Sequence, residues 1–252
     1  MAVHDNRHDT LVIAADTETT GLTDTDRIFE IAAVPVRWEE SSDQWVNAGD
    51  PLLLRMDPGV AMNERASEVT GITTHDLQGF PPARKVWPEF ILWVERIVKE
   101  NHCRRLVMLG HNLVKFDMPR ILRDIHHFGF FPGAYLVAAA QLDSLLLART
   151  QCPGAWRKNL TELYMHAFGR GFDDAHSALA DTEATVAITF HDSDSPHFPL
   201  VMGQMPLHPE MVAAGWKRVR EGKGTAAPPP ARKPRFTDIA WRAGAGREEG
   251  CV

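Results

Sequence analysis

The chain reads as an α/β protein built on one mixed sheet flanked by helices. The order of its segments predicts this. Strand-like runs come first, near 10–16, 28–38 and 45–55, followed by helices near 62–68 and 83–100. Strands and helices then alternate: a strand near 105–109, a helix near 116–128, a short strand near 136–142, and helices near 144–149, 159–168 and 177–191. With 252 residues, 44% of them hydrophobic, the chain can bury one full core plus appendages.

The first strand rests on Leu11, Val12, Ile13 and Ala14, a short apolar run rich in β-branched residues that suits a buried strand. Asp16 and Glu18 follow at its end. Residues two apart in a strand project to one face, so both carboxylates can address one spot from a rigid support while Thr17 points the other way. Gly21 then turns the chain sharply. Two carboxylates at a strand end form a natural seat for hard cations, which prefer oxygen ligands.

The strand over Leu106 to Leu109 ends at Gly110, and His111 and Asn112 open a turn. From Phe116 the apolar spacing becomes helical, through Ile121, Leu122 and Ile125, with Pro119 in the first turn. Asp117 therefore sits at a helix N-terminus. On its own it reads as a carboxylate complementing the helix dipole, worth a few tenths to ~1 kcal/mol. In the last helix Ser177 stands at the capping position and Leu179, Val186 and Phe190 form a buried stripe. His176 lies on the lead-in and Asp181 about one turn inside. A histidine on the lead-in can move protons while an aspartate on the rigid helix holds metal.

Each cluster alone has a plain structural reading, as solvated loop acids, a first-turn aspartate or one of 12 histidines. Their co-occurrence in order is the informative fact. Asp-Thr-Glu-Thr-Thr-Gly at 16–21, His-Asn-Leu-Val-Lys-Phe-Asp at 111–117 and the stretch at 175–185 resemble motifs I, II and III of the DEDDh-type 3'-to-5' exonucleases. That is the superfamily of polymerase proofreading subunits, ribonuclease T and three-prime repair exonucleases. The resemblance covers about residues 10–191 and includes Pro58-Gly59, Ala66, Glu68 to Thr73, and Leu160 to Leu163 leading into Gly169. Thr70 stands where that family commonly has His.

The resemblance implies a ribonuclease H-like, five-stranded sheet of order 3-2-1-4-5 with the second strand antiparallel. It implies hydrolysis of single-stranded nucleic acid from the 3' end, DNA in the first place and RNA as the alternative, releasing nucleoside 5'-monophosphates. Two Mg2+ or Mn2+ ions ~3.5–4 Å apart would serve the reaction. Asp16, Glu18 and Asp181 would ligate one ion, Asp16 would bridge to the second, Asp117 would support the second, and His176 would be the general base. The backbone of Thr19, Thr20 and Gly21 would hold the terminal 3'-hydroxyl. Leu22 and Ile72 would wedge against terminal bases, and Asn112 would bond near the terminal nucleotide. A non-catalytic nucleic-acid-binding or scaffold protein on the same fold would be expected to lack one of these carboxylates, and none is missing.

The formal charge of −6 divides unevenly: residues 1–200 carry 18 Lys+Arg against 28 Asp+Glu, and residues 201–252 carry 9 against 5. An acidic catalytic region cannot rely on long-range attraction, so bound cations must supply the positive field at the scissile phosphate. Domain boundaries are expected at 1–192 for the exonuclease domain, 193–222 for a short helical extension around Pro209 to Glu221, and 223–252 for a basic, Pro-rich tail without a packed core. That tail reads first as a disordered solubilising segment; the alternative is an arm that docks a protein partner or a second copy of the chain, or that binds nucleic acid. Cys103, Cys152 and Cys251 lack metal-site spacing and are expected to be reduced thiols. No secretory signal or spanning segment is read, so an intracellular protein, cytoplasmic or nuclear, is expected.

Overall fold

The structure, a computed structural model, describes residues 7–152, 157–193 and 195–200. Its centre is β1 (Thr10–Thr19), which runs antiparallel to β2 (Ile28–Glu39) and parallel to β5 (Arg105–Gly110). β6 (Ala140–Asp143) adds in parallel beside β5. β3 (Gln44–Asn47) and β4 (Leu52–Arg55) both pair with β2, at opposite ends of it. The order β3-β2-β1-β5-β6 is the expected one, with β4 as a sixth strand on β2 among the described residues.

Two expectations need correction. The strand foreseen at 45–55 is broken in two, because Pro51 has no amide to give a ladder and Gly49 passes hard against a helix. A Cβ on Gly49 would lie 2.6 Å from Ile97 Cδ1. The strand foreseen at 136–142 is instead a one-turn helix, α5 (Ala134–Ala138), followed by the short β6. Gly133, at φ +85°, turns the chain into that helix, and the ladder with β5 begins only at Val107 opposite Ala140. A short apolar run such as Tyr135 to Val137 has no periodicity that separates strand from helix.

The remaining helices have local causes. Asn63 accepts from the Arg65 amide to start α1 (Glu64–Thr70), and Gly71, left-handed at φ +72°, ends it. α2 (Thr74–Leu77), not foreseen, is one turn built on a Thr73/Asp76 capping box. α3 (Ala83–Glu100) lays Trp87, Phe90, Val94, Ile97 and Val98 on the sheet.

The alternation along β1 decides which helix meets which residue. Leu11, Ile13 and Ala15 enter the core under α3, α4 (Asp117–His127) and α5. Val12 and Ala14 enter the opposite core, with Val34, Val36, Trp45 and Leu109, under α8 (Ala178–Phe190). Continued by two residues, the same parity sends Asp16 and Glu18 toward α8 and Thr17 toward α4.

A third cluster joins α6 (Ser144–Gln151), α7 (Leu160–Phe168) and α8 with Phe198 and Leu200. The Leu200 amide donates to the Ile188 carbonyl at 3.0 Å. Packing therefore reaches Leu200, past the residue 192 at which the first domain was expected to end. The expected helix at 209–221, the tail at 223–252 and Cys251 lie outside the described residues. Cys103 and Cys152 are free and buried. Among the described residues no helix is long and apolar enough to cross a membrane.

Trp87 is fully buried, edge-on to Phe90 at 5.9 Å. Trp87→Ala should cost ~3–5 kcal/mol of unfolding free energy, as large aromatic truncations in packed cores do. Urea denaturation monitored by circular dichroism measures it, and a loss under ~1 kcal/mol would mean that α3 does not anchor the first core.

Candidate active site

One carboxylate oxygen from each of Asp16, Glu18 and Asp181 lies within 4.8 Å of the others. The arrangement follows from the parity of β1: Asp16 and Glu18 share its α8 face, and Asp181, in the first turn of α8, comes down onto them. The three carboxylates are half-withdrawn from solvent, and the charges beside Asp16 and Glu18 add to the effect of burial on those two. Burial, then Asp181, Glu30 and Asp117, lift Glu18 to about 8. Asp16 is driven well above the ordinary carboxylate range by burial and by Asp117, Asp181, Glu18 and Glu30. Asp181 is raised by burial, against the pull of the His176 amide and ring.

Asp117 arrives from the other face. It is buried at the first position of α4 and accepts the Thr17 hydroxyl at 2.6 Å, the contact that the outward parity of Thr17 makes available. Burial raises it to about 7, with Thr17 opposing. It lies outside the three-oxygen cluster yet contributes the largest charge effect on Asp16. The turn that delivers it is held by Asp143 at the end of β6, which accepts from the amides of Asn112, Val114 and Leu145 at 3.1, 3.2 and 3.0 Å. Asn112 takes φ +73° there.

His111, the first residue of that motif, is inward-turned and structural. Its Nε2 donates to the Lys158 carbonyl at 2.8 Å, and Nδ1 lies 2.9 Å from Ser144 Oγ. Burial lowers its pKa, and the neutral ring then has Nδ1 free to accept from that hydroxyl. His176 is exposed on the turn before α8, in a left-handed conformation at φ +74° that residues with a side chain seldom adopt.

Two site features were not read in the sequence. Glu30, buried on β2 directly opposite Glu18, accepts the Ala178 amide at 3.0 Å and pairs with Arg55 Nε at 2.5 Å. It, rather than the Ser177 side chain foreseen as the cap, receives the first amide of α8; Ser177 makes no side-chain cap bond. An acid inside the apolar run Ile28 to Val34 was the available signal. The second feature is Asp26, which accepts from the Thr23 amide and hydroxyl, each at 2.7 Å, and from the Thr20 hydroxyl at 3.2 Å. It explains Gly21, where a Cβ would lie 2.6–2.8 Å from the Asp26 carboxylate. Of the remaining predicted positions, Thr19 and Thr20 are buried beside this turn, Leu22 is 76% exposed and Ile72 is half-buried just after the end of α1.

Comparison with known proteins agrees with this geometry. Residues 13–189 match the sequence profile of the family described as Exonuclease. The chain is 29% identical over 188 residues to Ribonuclease T of Marinobacter nauticus, covering 69% of this chain and 78% of that one. It is 30% identical over 187 residues to Ribonuclease T of Photorhabdus laumondii, covering 70% and 80%. Similarity to DNA polymerase III PolC-type of Streptococcus agalactiae, 28% over 192 residues, takes in 73% of this chain but 11% of that much longer one. Among solved structures, exonuclease I superposes with a TM-score of 0.60 at 20% identity, over 85% of this chain and 45% of that one. E. coli exonuclease I in complex with a dT13 oligonucleotide gives 0.57 at 21%, over 71% and 40%. The chain thus spans less than half of exonuclease I and shares its fold. A profile match running from the first strand into the last helix, on a sheet whose central strand ends in clustered carboxylates, places the chain in the exonuclease family, enzymes that remove nucleotides from the 3' end of nucleic acid.

Proposed function

We propose that the protein hydrolyses single-stranded nucleic acid, DNA or RNA, from its 3' end to nucleoside 5'-monophosphates, with two divalent cations and His176 as general base. The observation that carries this reading is the Asp16, Glu18 and Asp181 cluster, three hard-oxygen donors crowded within 4.8 Å. Such a set suits Mg2+ or Mn2+ by donor chemistry, and a cation relieves the repulsion that raises these pKa values. Asp16, Glu18 and Asp181 would hold one ion, and Asp16 with Asp117 the other. When bound, the cations supply activation of the attacking water and stabilisation of the leaving 3'-oxygen.

The chain's own residues do the rest. His176, exposed on the turn that leads to Asp181, takes the proton of the attacking water. Thr19 Oγ1 donates to the Gly21 carbonyl at 2.7 Å and fixes the backbone that faces the terminal 3'-hydroxyl. Leu22 and Ile72 offer apolar surface to the terminal bases, and Asn112 a side-chain amide to the terminal nucleotide. The complex of the similarly folded exonuclease I with an oligonucleotide supports a single-stranded substrate. The basic segment at 223–252, as a unit separate from the extension at 193–222, adds affinity for long strands rather than chemistry.

A 5'-labelled single-stranded oligonucleotide with Mn2+ should give a ladder shortening from the 3' end, and none with chelator. Asp16→Ala and Asp181→Ala should each abolish the ladder with the fold intact. His176→Ala should slow turnover by roughly 10²–10⁴-fold and leave Mn2+ binding in place. A mobility shift with no cleavage would refute the catalytic reading, and loss of metal by His176→Ala would make that residue a ligand.

The raised carboxylates also set a pH dependence. Their folded-state pKa values lie above the unfolded ones, so between about pH 4 and pH 8 the folded protein holds protons that the unfolded chain has released. Stability of the metal-free protein should therefore fall as pH rises through that window, and saturating Mg2+ should reverse the fall. Thermal melts at about pH 5 and about pH 8 test this. A metal-free Tm that does not drop, or a drop as large in Glu18→Gln, would show that the cluster is not the source.

A further inference from the structure

α4 carries Asp117 into the site at its first position, and one and two turns later it carries Arg120 and Arg123, whose guanidinium groups reach the 22–26 loop. Arg120 Nη2 donates to the Leu22 carbonyl at 3.1 Å, with its guanidinium stacked 3.7 Å above the Phe116 ring and Nη1 on the Phe116 carbonyl at 3.3 Å. Arg123 Nη1 and Nη2 donate to the Asp24 and Asp26 carbonyls at 3.2 and 2.5 Å. Its Nε donates to Asp124, fully buried, which also accepts the Ile28 amide at 2.8 Å where β2 begins. The loop is braced inside as well, through the Asp26 hub and by the Asn63 amide on the Thr20 carbonyl at 2.7 Å.

This bracing has an unusual result. Leu22 projects 76% exposed from a loop whose carbonyls at 22, 24 and 26 are all held by arginine donors. A single exposed leucine is ordinary. One held rigidly at the end of the strand that carries Asp16 and Glu18 is a surface prepared for an apolar ligand, and the face of a terminal base is such a ligand. We propose that Arg120 and Arg123 are positioning residues for the terminal nucleotide, setting the place of Leu22 relative to the carboxylate cluster. The idea rests on the exonuclease reading above. Because one helix holds both Asp117 and the loop, the base contact and the cluster keep a common frame. Lysine cannot replace Arg123, since a point donor cannot serve Asp24, Asp26 and Asp124 at once from a planar fork.

The test is a double-mutant cycle on a short single-stranded DNA oligonucleotide with saturating Mn2+, using Arg123→Lys, Leu22→Ala and the pair. Each single variant should raise KM by about tenfold, the size of one lost charged hydrogen bond or one lost apolar contact, with kcat unchanged. The pair should be no worse than the poorer single, because both act through Leu22. Arg120→Gln, whose donors reach only Leu22 and Phe116, repeats the cycle if Arg123→Lys melts early. KM effects that multiply, or a fall in kcat alone, would overturn the positioning role. An unsubstituted protein with no cleavage at all would overturn the exonuclease reading and this proposal with it.

Discussion

The mutual repulsion of Asp16, Glu18 and Asp181 shapes the structure around it. Their oxygens are within 4.8 Å, Asp117 and Glu30 add negative charge nearby, and burial denies all of them the full screening of water. No folding advantage comes from such a cluster, so the scaffold must impose it. Imposition comes from β1, central in the sheet, which is laddered to β5 from Thr10 to Ala14 and to β2 from Leu11 through Thr19, so that β2 holds the carboxyl end in place. Glu30 adds a clamp from β2, spending its charge on the Ala178 amide and Arg55 and thereby seating the α8 turn that bears Asp181.

The period of two along β1 also explains why two helices on opposite faces serve one site. Asp16 and Glu18 face α8 while Thr17 faces α4, and the Thr17 hydroxyl on Asp117 ties the two faces together at the strand end. A slip of one residue in the β1–β2 register would send both acids to the wrong face, which is why the long apolar pairing from Leu11 to Thr17 matters for chemistry as much as for stability. The acidic balance of residues 1–200 repels a phosphodiester strand, and cations held by this cluster would convert that disadvantage into attraction where it is needed.

Much of this was legible in the residues. The run Leu11 to Ala14 announced the central strand, and Asp16 and Glu18 at its end announced their shared face. The periodic positions from Ile121 and from Leu179 announced α4 and α8. What escaped depended on contacts distant in sequence or on short segments. Tyr135 to Val137 carries no period long enough to tell a turn of helix from a strand. The break at Gly49 and Pro51 follows from the approach of Ile97, which lies far along the chain. Ser177 has the right residue type for a cap, but Glu30, 148 positions earlier, occupies the amide instead. The arginine grip of α4 on the 22–26 loop spans 97 to 99 positions and leaves no local spelling.

The central claim is that the carboxylate cluster is a metal seat, and counting bound Mn2+ tests it most directly. Titration followed by electron paramagnetic resonance at about pH 8, above the raised Asp117 value and level with that of Glu18, should show Mn2+ bound to the unsubstituted protein. Affinity should weaken as pH is lowered toward about 6, where protons reoccupy Glu18 and Asp117. Asp16→Asn should remove the binding. Mn2+ held equally well by Asp16→Asn, or not held at all by the unsubstituted protein, would contradict the account.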